Sequence, residues 1–245
     1  MIFSVITVSY NSAATIKDTI KSVLGQTHKD LEYIVVDGGS SDGTVDIIKK
    51  YSDRVSRWVS ERDGGIYDAM NKGIRLSSGD VIGILNSDDI YQDSGVLKRV
   101  AQEFDDPGVE CCYGDLFYVS KDLGSVVRTW VSGSYSDKAF RRGWHPPHPA
   151  FFVRRRAYEK FGAFDLRFPI AADYELMLRF LMKNRLKASY IPETLVRMRT
   201  GGESNRSVGN IIKANIECYR SWKVNGLKVC PLIVARKPFS KLRQL

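Results

Sequence analysis

The alternation of short buried strands with amphipathic helices over the first 90 residues is the strongest constraint on the fold. Residues 2–9, 31–36, 55–59 and 81–85 are apolar and rich in β-branched side chains, as buried strands are. The stretches between them carry apolar residues at helical spacing, so the order is βαβαβαβ. Such alternation produces a parallel sheet covered on both faces. We therefore expect an α/β protein with a Rossmann-like, mostly parallel sheet.

The rest of the chain has a less regular pattern. Strands are predicted around 109–119, 125–131, 189–191 and 195–198, and helices near 95–104, 155–161, 172–183 and 210–224. The glycine pair at 201–202 coincides with a change in charge, which places a boundary near residues 200–206. We expect one domain over residues 1–200 and a helical, basic, amphipathic extension over 201–245.

Charge is unevenly distributed along the chain. The formal net charge is +9, and residues 201–245 contribute +7 of it, from nine Lys or Arg and two Glu. A nearly neutral body with a basic tail favours contact with an anionic membrane surface over nucleic-acid binding. A helix packed on the core or on a second copy of the chain is the alternative.

The expected compartment is the cytoplasm, at the inner face of the cytoplasmic membrane. The N-terminal residues have no basic segment before their apolar run, so we do not expect a signal peptide. No stretch reaches the roughly 20 apolar residues of a membrane span. The four cysteines form no CxxC pair, which indicates neither a zinc site nor a disulfide framework.

Polar clusters follow three of the predicted strands, at 9–11, 37–42 and 86–89. Ligands of open α/β sheets bind at the carboxyl ends of strands, so these clusters are expected to converge. Asp88 and Asp89 repel each other unless a cation lies between them, and Mg²⁺ or Mn²⁺ binds few carboxylates plus diphosphate oxygens. Such an ion would stabilise a leaving diphosphate. A helix N-cap is the equally weighted alternative.

The loop after the second strand is the next candidate site. Asp37 could accept hydrogen bonds from a nucleobase or ribose, and Gly38 and Gly39 would let the backbone approach a ligand. A loop that only needs glycine for its turns is the alternative. No GxGxxG motif follows the first strand and no GxxxxGK[ST] motif occurs, which disfavours dinucleotide-binding and P-loop proteins.

Four motifs in order and spacing resemble those of family-2 glycosyltransferases with the GT-A fold, which build bacterial surface glycans such as exopolysaccharide and O-antigen. They are Thr-Val-Ser-Tyr-Asn at 7–11, Val-Val-Asp-Gly-Gly-Ser-Ser-Asp-Gly-Thr at 35–44, Asp-Gly-Gly-Ile-Tyr-Asp-Ala-Met-Asn-Lys-Gly at 63–73 and Asn-Ser-Asp-Asp at 86–89. The resemblance covers residues 2–200. It implies that residues 1–105 bind a nucleotide-diphosphate sugar, of UDP type by family habit, and that residues 106–200 bind the acceptor.

The resemblance also implies roles for individual residues. Asp88 would contact the donor and, with Asp89, hold the metal. The other side chains and glycines expected around the nucleotide are Thr7, Ser9, Tyr10, Asp37, Gly39, Asp63, Gly64 and Gly65. The family often has Asp where this chain has Asn86, which weakens the expected metal site.

The acceptor side is expected to supply the catalytic base. Inverting transfer needs a carboxylate that removes the proton of the attacking hydroxyl, and the family places it in an acidic motif like that at 170–175. Asp173 is the candidate, Glu175 is the rival, and an N-cap is the alternative role for Asp173. The loop residues Trp144, His145 and His148 are expected to contact a glycan or lipid-pyrophosphate-linked acceptor. Arg197 and Arg199 are candidates to close over the donor.

Two other functions remain open from the sequence. A sugar nucleotidyltransferase would usually carry a glycine-rich loop with Arg and Lys after the first strand, and residues 9–14 do not. A binding module would recognise nucleotide-sugars or anionic polymers without turnover, and the presence of Asp88, Asp89 and Asp173 speaks against it.

Overall fold

The computed structural model describes residues 1–201 and 208–228. Its first half alternates strands and helices as predicted. The elements are β1 (Phe3–Ser9), α1 (Ile16–Leu24), β2 (Leu31–Asp37), α2 (Thr44–Lys49), β3 (Arg57–Ser60), α3 (Ile66–Leu76) and β4 (Val81–Ile84).

The second half is mixed. Its elements are β5 (Asp89–Tyr91), α4 (Val96–Glu103), β6 (Cys111–Val119), β7 (Val126–Trp130), α5 (Asp137–Arg141), β8 (Phe151–Arg154), α6 (Arg155–Phe161), α7 (Ala172–Met177), β9 (Ala188–Arg199) and α8 (Val208–Val224). A 3-10 turn at His148–Ala150 precedes β8, and a π-helical turn at Leu178–Lys183 continues α7.

One nine-stranded sheet runs through the domain in the order β3-β2-β1-β4-β8-β6-β9-β5, with β7 on β6. The β3-β2-β1-β4 part is parallel, which confirms the prediction from the strand–helix alternation. Beyond β4 the pairs are antiparallel except β6 with β9. Because β4 pairs with β8, the two predicted halves of the domain share this sheet.

Two elements differ from their predicted form. The strands predicted at 189–191 and 195–198 are one strand, β9, whose register with β6 shifts around Asp115. A register shift lets a strand absorb a residue such as Pro192, which has no N–H to pair. The helix predicted at 172–183 is α-helical only to Met177.

Both faces of the sheet are buried because the central strands are apolar on both sides. On one face Ile6, Ile34 and Ile82 pack under α3, α7 and α8, and on the other Phe3, Tyr33 and Val35 pack under α1, α2 and α4. Gly73 lets α3 lie close to β1, since a Cβ there would come within 2.3 Å of Ile6 Cγ2. This close contact fixes the loop that begins α3 near the ends of β1 and β2.

Helix α8 packs on α7, so the described part of the predicted extension lies against the first domain. No helix in the two described ranges is long and apolar enough to cross a membrane. The basic, partly apolar segment after Lys228 and most of the predicted boundary at 200–206 lie outside the described residues.

Candidate active site

Backbone hydrogen bonds bring the polar clusters together at the carboxyl edge of the parallel strands. The Gly38 N–H donates to Ser9 O at 2.8 Å, and the Ser87 N–H donates to Val8 O at 3.2 Å. The Ser87 and Ser12 hydroxyls are 2.8 Å apart. The predicted convergence of residues 9–11, 37–42 and 86–89 is therefore seen in the structure.

The buried carboxylate of Asp37 organises the loop after β2. It has no exposed surface. Its five donors are the Ser9 hydroxyl, the Gly39 N–H, the Ser40 N–H, the Ser40 hydroxyl and the Ser60 hydroxyl. Burial alone would raise the pKa of Asp37, but these hydrogen bonds outweigh it and lower the pKa. Asp37 is therefore an ionised anchor, and a nucleobase would reach it only by displacing one of these donors.

Asp42 joins this loop to the one after β1. Its carboxylate accepts from the Ala13 N–H at 2.9 Å and from the Thr44 N–H at 3.0 Å. The Asn11 side chain accepts from the Ser41 N–H at 3.0 Å. The two loops are thus held as one surface before any ligand arrives.

The three predicted side chains of β1 and its loop differ in access. Tyr10 is 66% exposed, so its ring is free to stack on a base. Thr7 is completely buried, and its hydroxyl accepts from Tyr33 at 3.1 Å. The prediction that Thr7 lines the nucleobase pocket is therefore wrong, because it occupies a core position in mid-strand. Ser9 is 5% exposed and donates to Asp37, so its role is indirect.

The segment Asp63-Gly64-Gly65 lies beside Gly38, at the start of α3. A Cβ on Gly38 would lie 2.5 Å from Asp63 Oδ2, so a side chain at position 38 would displace this carboxylate. Asp63 accepts from the Gly65 N–H at 2.9 Å, and Gly65 has the positive φ of 113° that favours glycine. Gly39 also has a positive φ, 82°, and is exposed. These predicted nucleotide-binding groups form one rim.

The acidic pair lies at the edge of this rim. Asp89 begins β5, and the next helix starts only at Val96, so the alternative of an N-cap is wrong. Asp88 is partly exposed, and its carbonyl accepts from the Arg199 guanidinium at 2.8 Å. Arg199 is 6% exposed and also pairs with Asp18, so it anchors the Asp88 turn and does not extend towards a donor.

Asp89 is 1% exposed, and within the described residues neither of its carboxylate oxygens completes a hydrogen bond. The Arg199 backbone N–H and the Asn86 side chain lie near them without completing such a bond. Burial, and then the charge of Asp88, raise the pKa of Asp89 well above its usual range; Arg199 and Asn86 oppose this rise without cancelling it. Burial also raises the pKa of Asp88. A buried carboxylate without a partner either takes up a proton or lies near a cation.

The pair fits a hard divalent ion that takes one or two carboxylates and completes its shell with phosphate oxygens and water. In the parts of the chain that the structure describes, no group of three or more His, Cys, Asp or Glu side chains could hold a metal. A metal here would therefore depend on ligands from a bound diphosphate.

Asp173 lies across the site in the first turn of α7. Ala171 is the N-cap of this helix, so Asp173 is not a cap. The Tyr67 hydroxyl lies 3.1 Å from Asp173 Oδ1 and 2.9 Å from Ile170 O. Burial, and then the Asp173 charge, raise the pKa of Tyr67, which therefore stays protonated and can donate.

His148 is the predicted acceptor residue that the structure brings near Asp173. Burial lowers the pKa of His148, and the charge of Asp173 opposes this shift. Its ring packs edge-to-face on Phe164 at 5.5 Å. A neutral imidazole beside a carboxylate can accept or donate a hydrogen bond to a sugar hydroxyl.

Glu175 faces away from Asp173, as positions two apart on a helix do. It is 2% exposed and forms a bidentate ion pair with Arg179, and the Asn225 amide donates to it at 2.9 Å. Its carboxylate is therefore committed to structure, which corrects its assignment as rival base and acceptor contact.

Trp144 and His145 also pack inward. The Trp144 indole donates to Ser132 O at 2.7 Å, and its ring lies edge-on to Phe140. His145 packs edge-on to Trp130 and Tyr174. This aromatic cluster supports the wall of the site, and the packing does not favour the predicted sugar platform.

Two supporting residues had no role assigned from sequence. Ser60, at the end of β3, donates to Asp37, and its position at a strand end was the available signal. Tyr67 lies within a recognised motif, but its contact with Asp173 joins residues 106 apart in sequence, and no local pattern indicates such a contact.

Comparisons with known proteins agree with this architecture. The model of glycosyl transferase family 2 matches residues 4–162. An uncharacterized glycosyltransferase of Mycobacterium tuberculosis is 36% identical over 72% of this chain and 67% of its own length. A PGL/p-HBAD biosynthesis glycosyltransferase of Mycobacterium bovis is 31% identical over 84% of this chain and 80% of its own length.

Solved structures share the fold at low identity. Residues 1–349 of S. aureus TarS in complex with UDP align with a TM-score of 0.68 at 18% identity, covering 92% of this chain and 70% of that one. The mannosyltransferase PcManGT of Pyrobaculum calidifontis, in complex with GDP-Man and Mn²⁺, aligns with a TM-score of 0.68 at 18% identity, covering 99% and 70%. The chain spans only 39% of a longer S. aureus TarS structure. Since the family model matches well over half of the sequence, the chain belongs to glycosyl transferase family 2 and has the GT-A fold.

Proposed function

We propose that the chain transfers a sugar from a nucleotide-diphosphate sugar to an acceptor hydroxyl, with inversion at the anomeric carbon. The observation that carries the proposal is the acidic pair at the nucleotide rim. Asp88 is partly exposed there, and the adjacent Asp89 has two buried oxygens that complete no hydrogen bond in the described part of the chain. A protein that merely folded around this turn would lose stability by burying such a carboxylate.

Asp88 and Asp89 are the residues that would hold Mg²⁺ or Mn²⁺. Asp88 is the better placed of the two to meet a ligand that spans the metal and a diphosphate, because its side chain reaches solvent. The ion, when bound, supplies positive charge that stabilises the departing diphosphate. Asp89 is buried next to Asp88, and a bound ion would supply the opposite charge that its carboxylate lacks.

Asp173 acts as the base. As the acceptor oxygen bonds to the anomeric carbon, the bond from that carbon to the diphosphate oxygen breaks, and the acceptor proton passes to the Asp173 carboxylate. The nucleoside diphosphate leaves with the electron pair of the broken bond. Tyr67 holds Asp173 through a hydrogen bond, and His148, whose pKa responds to the Asp173 charge, is the group that we assign to orient the acceptor hydroxyl.

The nucleotide would lie on the rim formed by Tyr10, Gly39 and the segment 63–65. The S. aureus TarS structures hold UDP and UDP-GlcNAc, and the Pyrobaculum calidifontis enzyme holds GDP-Man. They support a nucleotide-sugar donor, and we propose a UDP-hexose type. The name of the mycobacterial PGL/p-HBAD biosynthesis relative supports a glycan or lipid-linked acceptor in surface glycan synthesis.

The test is donor turnover with a panel of nucleotide-sugars and Mn²⁺. Release of nucleoside diphosphate is expected from the wild type and from Asp46→Asn, a control at an acid whose side chain is 78% exposed. Asp88→Asn and Asp89→Asn should each lose about 100-fold or more in rate. Tight nucleotide binding without release over hours would indicate a non-catalytic binding module instead.

We also propose that the enzyme works at the inner face of the cytoplasmic membrane. The outer side of α8 exposes Ile212 and Ile216 together with Lys213 and Lys223, and the one acid of this helix faces inward. Apolar and basic groups on one helix face fit an anionic bilayer. The sequence after Lys228 contains further basic residues, which would add to the attraction to an anionic bilayer.

Vesicles containing anionic lipid provide the test. Ile212→Ser with Ile216→Ser should reduce co-sedimentation with these vesicles, and deletion after Asn225 should reduce it further while donor hydrolysis is unchanged. Equal binding of the wild type, the double variant and the truncated chain contradicts membrane docking. If light scattering shows a dimeric wild type and a monomeric double variant, the face binds a second copy of the chain instead.

A further inference from the structure

Helix α8 carries one acid, Glu217, and this residue lies on the buried side of the helix. It is 6% exposed, although both neighbouring turns present Lys or Arg to solvent. Burying a carboxylate costs free energy unless it gains hydrogen bonds. The carboxylate of Glu217 therefore needs hydrogen-bond donors on the buried side of the helix.

The contacts of Glu217 are to the backbone just before α7. The N–H groups of Ile170 and Ala171 donate to Glu217 Oε2 at 2.9 and 2.8 Å. Ala171 is the N-cap of α7, and it has no side chain to bond the backbone there. The carboxylate of α8 thus holds the segment that leads into the helix of the proposed base.

The same short segment is held from the opposite side by α3. The Tyr67 hydroxyl lies 2.9 Å from Ile170 O and 3.1 Å from Asp173 Oδ1. Residues 170–173 are therefore fixed between a carboxylate on α8 and a phenol on α3. The negative charge of Glu217 also reaches Tyr67 and contributes to the rise in its pKa.

Two more polar contacts fix the register of α8 on α7. The Trp222 indole donates to the Tyr174 hydroxyl at 2.9 Å, and the Asn225 amide donates to Glu175 at 2.9 Å. Trp222 has no exposed surface. Movement of α8 would therefore be transmitted to α7 along its whole length.

We propose that Glu217 is a positioning residue that sets where Asp173 meets the acceptor hydroxyl. This inference rests on the proposed function, in which Asp173 is the base. Glu217 is buried and accepts from the backbone of Ile170 and Ala171, so its effect would pass through residues 170–173. Misplacement of a reacting group by about 1 Å can cost about 100-fold in rate. The nucleotide rim is built from other loops, so donor binding should not depend on Glu217.

The kinetic test compares three variants of the full chain. Glu217→Ala should lower kcat by about 10- to 100-fold while the donor KM stays within about twofold. Glu217→Gln keeps an oxygen that can accept both N–H groups, so kcat should recover to within about threefold of wild type. Ser221→Ala is the matched control, because Ser221 is buried on the same helix and its hydroxyl donates to Cys218 O within that helix.

A Glu217→Ala enzyme with the kcat of Ser221→Ala overturns the proposal. Equal damage in Glu217→Gln and Glu217→Ala overturns it too, since the charge and not the hydrogen bonds would then matter. Hydrogen exchange gives a readout that needs no activity: the Ile170 and Ala171 amides should exchange at least about tenfold faster in Glu217→Ala, with the β1 and β2 amides unchanged. If the wild type releases no nucleoside diphosphate, the proposed function fails while this exchange result still decides whether Glu217 holds the segment.

Discussion

The nucleotide side and the acceptor side of the site hold their functional groups in different ways. On the nucleotide side, Asp37 is fixed by donors from its own loop and from adjacent strand ends. On the acceptor side, Asp173 is fixed by Tyr67 of α3, and the segment before it by Glu217 of α8. The first arrangement follows from the order of strands, and the second requires three distant helices to pack correctly.

This difference predicts where the enzyme tolerates change. A rim held by strand ends should keep its shape when the acceptor side is altered, because its bonds are internal to the sheet edge. The acceptor side depends on contacts between α3, α7 and α8, so small changes there should alter turnover before they alter donor binding. Variants on each side can separate these effects.

The largest expected effect is that of Asp173→Asn. Loss of the base should lower kcat for transfer by about 100- to 10,000-fold, because no carboxylate then removes the proton of the attacking hydroxyl. Donor affinity from calorimetry with Mn²⁺ should be unchanged, since the rim residues belong to the loops after β1 and β2 and before α3, whereas Asp173 belongs to α7. A variant that loses donor binding in proportion to kcat would contradict the separation of the two sides.

Asp37→Ala should have the next largest effect, this time on stability. Removing the carboxylate leaves the Gly39 and Ser40 N–H groups and the Ser9 and Ser60 hydroxyls without their acceptor. We expect a loss of about 3 kcal/mol in the free energy of unfolding. Urea unfolding measures it, with the exposed Asp46→Ala as control.

The lowered pKa of Asp37 adds a dependence on pH. A carboxyl group whose pKa is lower in the folded than in the unfolded chain stabilises the fold above the unfolded pKa, and this stabilisation disappears as the pH falls through the folded pKa. The stability gap between wild type and Asp37→Asn should therefore be full at pH 6 and shrink below about pH 4. A gap that stays constant to pH 2.5 would show that folding does not lower the pKa of Asp37.

The sequence predicts the convergence of the strand-end clusters because these features are local. The strand ends, the glycines at Gly39 and Gly65 and the acidic pair can all be read in short windows, and a parallel sheet necessarily brings them to one edge. The prediction for Thr7 is wrong because the sequence of the motif at 7–11 does not show where the buried strand ends and the exposed loop begins.

The acceptor side could be predicted only in part. The acidic motif indicates Asp173 as the base. That Glu175 is not the base follows only from the hydrogen bonds that Arg179 and Asn225 donate to its carboxylate. Trp144 suggested a stacking surface, whereas Ser132 and the surrounding rings take it inward. The one available signal for Glu217 was that it is the single acid of a basic helix. Such contacts depend on tertiary packing, which no local window of sequence specifies.

The smallest expected effect is that of Tyr67→Phe. It tests the comparison most directly because Tyr67 connects the nucleotide side of the site to the acceptor side. Its helix begins directly after the rim segment 63–65, yet its hydroxyl bonds Asp173. Loss of one hydrogen bond should cost about 1 kcal/mol, or about fivefold in kcat, with the donor KM unchanged. Tyr91→Phe is the matched control, since the buried Tyr91 hydroxyl has no hydrogen-bond partner among the residues that the structure describes. If Tyr67→Phe instead raises the donor KM and leaves kcat alone, α3 serves the rim, and the two sides of the site are not held independently.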